Sequence, residues 1–226
     1  VLNSPAAPNS PSLMSCAEST APAKALPLDE EFKMRAALES YHTGKIEAEK
    51  ALNTAWGYLS HSDRHVRYAA RVAIEKLPVE LWKEKVLSEK HPVALIEGII
   101  ALARVTGAKS NHEGGRPAAK PTGTSSEPIG NVLPENAALQ GLMLQALSTL
   151  EGKELPLSQQ LAALRATQLV LIRLGKPDAE VCAKVAEKLD AHYPTEDPQL
   201  NREICQILVA IDSPKVVSKT LALMAT

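Results

Sequence analysis

The densest group of chemically capable side chains lies in "HSDRHVRYAARVAIEKL", residues 61–77, which brings together His61, Asp63, Arg64, His65, Arg67 and Arg71. Two imidazoles in a short turn invite a metal ion. The spacing opposes one: His61 stands in the turn ahead of the helix start rather than one helical turn below His65, and no further carboxylate or Cys completes a recognisable ligand set. The same residues fit the entrance to a helix. Ser62 or Asp63 serves as an N-cap for backbone N–H groups that have no partner in a first turn. Asp63 and Arg67 stand four apart with the acid toward the N-terminus, the favourable order. His61, Arg64, His65 and Arg71 are then left as a polar edge that a partner could face.

Other chemistry is thinner. "HEGGR" at 112–116 offers His112 and Arg116, in a stretch whose composition reads as a flexible insertion. Cys16, Cys182 and Cys205 include no C-x-x-C pair and no C-x-x-C-H haem attachment sequence. Cys182 and Cys205 fall on apolar helix faces, where a free thiol behaves as a small hydrophobe; a bridge between them stays open as an alternative. There is no G-x-S-x-G elbow, no H-E-x-x-H and no Gly-rich phosphate loop. No catalytic, cofactor-binding or metal-binding residue is assigned, and no cofactor is expected.

The elements that position these residues are helices. Residues 1–28 hold five prolines among Ser, Ala and Asn, and read as a linker or arm. From about Asp29 apolar residues recur at i, i+3, i+4, i+7. Met34, Ala37, Leu38 and Tyr41 form the first stripe, and Ala48, Leu52, Ala55, Trp56 and Leu59 the second. Val66, Ala69, Ala70, Ala73, Ile74 and Leu77 form the third. A short helix follows in "VELWKEKVLSEK". "VALIEGIIALARV" is apolar on most sides, so it should be sandwiched between neighbours. Residues 107–134 carry no stripe and read as a disordered insertion or a functional loop. Helical spacing then resumes through "LSQQLAALRATQLVLIRLG", with Gly175 as its stop, to a last stripe of Val217, Thr220, Leu221 and Met224.

Composition agrees. Aromatic residues make up only 3% of the 226 residues, and Ala and Leu dominate the apolar content, a balance that suits close-packed helices rather than strands. The 25 basic and 26 acidic side chains nearly cancel, which disfavours nucleic acid as a partner. No apolar run is long enough to span a bilayer. The helices pair into units of about 46–77, 79–106, 135–175 and 178–211, spacing typical of helical-hairpin repeats. The expected fold is therefore all-α, an α-solenoid over residues 29–226 with an irregular arm at 1–28 and a long loop near 107–134.

"DRHVRYAARVAIEKL" resembles the second helix of a HEAT repeat and its lead-in turn, with Asp63, Val66, Arg67, Ala70 and Ala73 matching position by position. "HPVALIEGIIAL" keeps Pro92 and Val93 of that pattern, and "DPQLNREICQIL" keeps Asp197 and Leu200 but has Asn201 where Arg would stand. The chain from Glu18 onward also looks like the helical-repeat segment of large exported bacterial fusion proteins, in which a dehydrogenase-like β-propeller precedes the helices and a c-type cytochrome domain follows them. This likeness implies an internal piece of a longer protein, exported to the periplasm, that holds an electron donor and acceptor in register; a cytoplasmic location is the alternative. The expected partners are protein domains. The competing expectation is a helical accessory domain that completes an oxidoreductase active site, with His112 and Arg116 as contact residues.

Overall fold

The computed structural model describes residues 30–43, 47–107, 134–150 and 153–225, and among them it holds ten α-helices and no strand. The described residues adopt the all-helical class that composition and periodicity lead one to expect. The 1–28 arm, Cys16, His112 and Arg116 lie outside the described residues.

In chain order the helices are α1 (Glu30–Ser40), α2 (Ala48–Gly57), α3 (Arg64–Glu75), α4 (Lys83–Leu87), α5 (Pro92–Thr106), α6 (Pro134–Ser148), α7 (Leu157–Leu174), α8 (Ala179–His192), α9 (Pro198–Ala210) and α10 (Val216–Met224). Their starts follow from local chemistry. Asp63, Asp178 and Asp197 each turn a carboxylate back onto N–H groups of the first turn of α3, α8 and α9. Pro92 and Pro198 open α5 and α9 where a missing N–H does no harm. Gly175 ends α7 at a φ of 95°, a conformation that a side chain would strain.

Packing is sequential. α1 lies on α3, α3 on α5, α5 on α7 and α7 on α9, so the odd-numbered helices form a continuous row. α2, α4, α6 and α8 each back the odd-numbered helix that follows them, and α10 packs on α9. Small side chains let the row close up: Ala55, Ala70, Ala73 and Ala103 are fully buried. At Gly107 an added Cβ would stand 2.5 Å from the Cβ of Arg173, so only glycine lets the end of α5 lie this close to α7. α5 is buried on nearly all sides, from Ala94 through Ala103, as its continuous apolar character requires. The third stripe, Val66 to Leu77, is buried at every position.

Two expectations change. The helix foreseen in "VELWKEKVLSEK" is a 3-10 turn at Val79–Leu81 followed by the five-residue α4, with Trp82 buried at the join. The α10 stripe faces outward: Val217, Leu221 and Met224 are exposed, while Val216 is buried. Polar bonds set that rotation. Lys219 Nζ donates to the carbonyls of Asp190 and Tyr193, Tyr193 Oη bonds Thr220 Oγ1 at 2.7 Å, and Ser213 Oγ donates to Asp190 at 2.9 Å. Cys182 and Cys205 are both free thiols, the reading that their apolar helix faces favoured over the alternative of a bridge. Cys182 Sγ donates to the Pro177 carbonyl, and burial raises its pKa.

Candidate functional site

The His61–Arg67 turn is held by its own backbone. Asp63 Oδ1 accepts from the N–H groups of His65 at 2.7 Å and Val66 at 2.9 Å, which makes Asp63, not Ser62, the cap of α3. His61 Nδ1 accepts from the Asp63 N–H at 3.1 Å, and its ring tilts against Tyr58. That bond places the ring proton on Nε2. Arg67 does not reach back to Asp63. Its Nη1 donates to the carbonyls of His61 at 2.7 Å and Ser62 at 2.8 Å, stapling the turn to the helix it precedes. Among the described residues, no three metal-ligating side chains converge.

The Asp63 carboxyl is held below its ordinary value of 3.8, first by the Val66 N–H, against some desolvation, and then by the His65 N–H and the two nearby imidazoles. A pKa lowered in the folded state stabilises the fold above the unfolded value, and that contribution disappears as pH falls through the folded value. Asp63→Ala therefore lowers the Tm by about 2–4 °C at neutral pH, and the difference from the parent closes in acid. His65→Ala, which removes only an exposed ring, leaves the Tm within error, and His61→Ala falls between the two. Thermal melts at neutral and acidic pH check the order; a larger loss for His65→Ala than for Asp63→Ala would overturn the assignment.

Beyond the turn, α3 and α5 share a charged ladder. Arg67, Arg71 and Glu75 follow at four-residue steps along α3, and Glu97 and Arg104 lie seven apart on α5. Arg71 Nη1 donates to Glu97 at 2.9 Å, and Arg67 Nε stands 3.5 Å from the other oxygen of the same carboxylate. Arg71 Nε lies 3.4 Å from Glu75, which Arg104 Nε also meets at 3.0 Å. The alternation runs Arg67, Glu97, Arg71, Glu75, Arg104. All five are half-buried, so solvent screens them less than surface pairs.

In the sequence Glu97 and Arg104 merely interrupt the apolar run of α5. The signal was their seven-residue spacing, two turns, which matches charges four apart on a neighbouring helix. A second bridge recurs between α7 and α9, where Glu203 accepts from Arg165 at 3.0 Å and Gln168 at 2.8 Å. Burial pushes the Glu203 pKa up, yet the bonds from Gln168 and Arg165 outweigh it and leave it lowered. Between α2 and the entrance to α5, Glu89 accepts from the Trp56 indole at 2.9 Å and from the N–H groups of Lys90 and His91.

The candidate site residues thus divide. His61, Asp63, Arg67 and Arg71 are engaged within the fold, whereas Ser62, Arg64 and His65 are exposed. Tyr68, one turn beyond Arg64, is 57% exposed and lies under the Arg71 guanidinium at 5.1 Å. Arg64, His65 and Tyr68 form a cationic and aromatic edge on the first turns of α3, a composition enriched where proteins contact one another. No protein-family model, no curated protein and no solved structure matches the chain.

Proposed function

We propose that the chain is a non-catalytic HEAT-like α-solenoid that connects domains or binds protein, and that it serves to hold electron-transfer partners in register within a larger exported protein. One arrangement carries this reading: the row α1, α3, α5, α7, α9, in which each helix packs on the next, with half-buried polar bridges joining α3 to α5 and α7 to α9. Helical hairpins stacked in this way bury a continuous core only as an array, and their outer faces are free to dock other domains. The edge of Arg64, His65 and Tyr68 is the contact surface proposed on the array.

Hydrogen–deuterium exchange of the isolated chain, compared with the same segment in its native assembly, tests the proposal. Added protection should concentrate on the first turns of α3, and it should vanish in Arg64→Glu/Tyr68→Ala, whose melting temperature stays that of the parent. Uniform exchange in both states, or turnover of a substrate by the isolated chain, would sink it.

A further inference from the structure

A cavity of about 320 Å³ opens between α6 and α8, with α7 and α9 beneath it. It lies on the seam between two hydrophobic clusters, one running from Leu38 to Leu174 and the other gathered around Ile207, Leu208 and Tyr193. Leu147, Leu150 and Ile204 are buried in its depth, and Leu164, Val185 and Leu189 line its walls. Protein interiors are close-packed and rarely leave a gap of this size, while small-molecule pockets start at about 300 Å³. The lining is therefore of the right size and polarity for a single apolar chain.

Among the described residues its charged lining has one sign. Lys153, Lys188 and His192 are exposed and line the same cavity, and none of the described lining residues is acidic. Lys188 and His192 stand four apart on α8, hence on one face. We infer that this seam binds an amphipathic anion, an acyl chain inserted between α6 and α8 with its anionic head at Lys153, Lys188 and His192. The depth removes apolar surface from water, which drives insertion, and the basic rim fixes the direction of entry. A cation near a helix C-terminus also complements the helix dipole; that role alone would not make binding depend on the ligand's head group.

Calorimetric titration of the intact chain with dodecanoate, below its micelle-forming concentration, tests the inference against dodecanol and dodecyltrimethylammonium as probes. Dodecanoate should bind saturably at one site, and the cationic probe should not. Leu189→Trp, which fills the wall, should abolish binding. Lys153→Glu/Lys188→Glu, exposed substitutions that spare the core, should weaken dodecanoate by about tenfold and leave dodecanol unchanged. Equal binding of all three probes, or dodecanoate binding that survives both variants, would overturn the inference. So would the absence of dodecanoate binding alongside a concentration-dependent dimer that Leu189→Trp dissociates, which would assign the seam to a second copy of the chain.

Discussion

Trp82→Ala lowers the unfolding free energy by roughly 3–5 kcal/mol, the range for removing a large aromatic side chain from a packed core. Trp82 is fully buried where the 3-10 turn joins α4, and its indole N–H donates to the Leu77 carbonyl at 3.3 Å. This is the thinnest part of the row. α4 has five residues and buries only Val86, so the Trp82 ring carries much of the packing that elsewhere comes from a full helix. Trp82→Phe keeps most of that packing but removes the donor, and should lose less than half as much. Urea unfolding followed by far-UV circular dichroism measures both, since the substitutions remove one of the two tryptophans that fluorescence would report. A loss below about 1 kcal/mol in Trp82→Ala would mean that the surroundings collapse into the vacated space, and that the turn does not depend on the ring.

What could be read from the sequence was what local chemistry decides. The Asp63 cap and the Val66–Leu77 stripe depend on residues two to four apart, which a helix and its first turn bring together. The burial of α5 was legible because an all-round apolar helix has no polar face to offer water. Arg67 stays in the turn, but its expected pairing with Asp63 gives way for a physical reason. A surface i, i+4 pair contributes only a few tenths of a kcal/mol, and two carbonyls and a half-buried carboxylate on another helix outweigh it. The outward face of α10 was missed because Lys219 and Thr220 choose its rotation by bonding to α8 and to Tyr193, over 26 to 29 residues of sequence. The cavity was equally hidden. Leucine stripes on α6 and α8 do not reveal that the two helices stand apart.

Glu97→Ala lowers stability by roughly 2–4 kcal/mol, because it leaves half-buried guanidinium groups without their shared acceptor. The carboxylate links two arginines of α3 to α5, at 2.9 Å from Arg71 and 3.5 Å from Arg67, and its side chain is 16% exposed. Lys33 and Glu30 make a shorter bridge at 2.6 Å, but their side chains are 54% and 73% exposed. Glu30→Ala should therefore change stability by less than about 0.5 kcal/mol, since surface pairs are screened and ordering them costs side-chain entropy. Burial, not distance, decides which bridge matters. A double-mutant cycle separates the Glu97–Arg71 interaction from the loss of side-chain packing: the Glu97→Ala/Arg71→Ala variant should be more stable than the sum of the single losses implies, with a coupling of about 1 kcal/mol or more. Raising the salt concentration should shrink the Glu30 effect well before the Glu97 effect. Strict additivity in the cycle would show that the ladder's two helices are held together by apolar packing alone, and the charged alternation from Arg67 to Arg104 would lose its structural role.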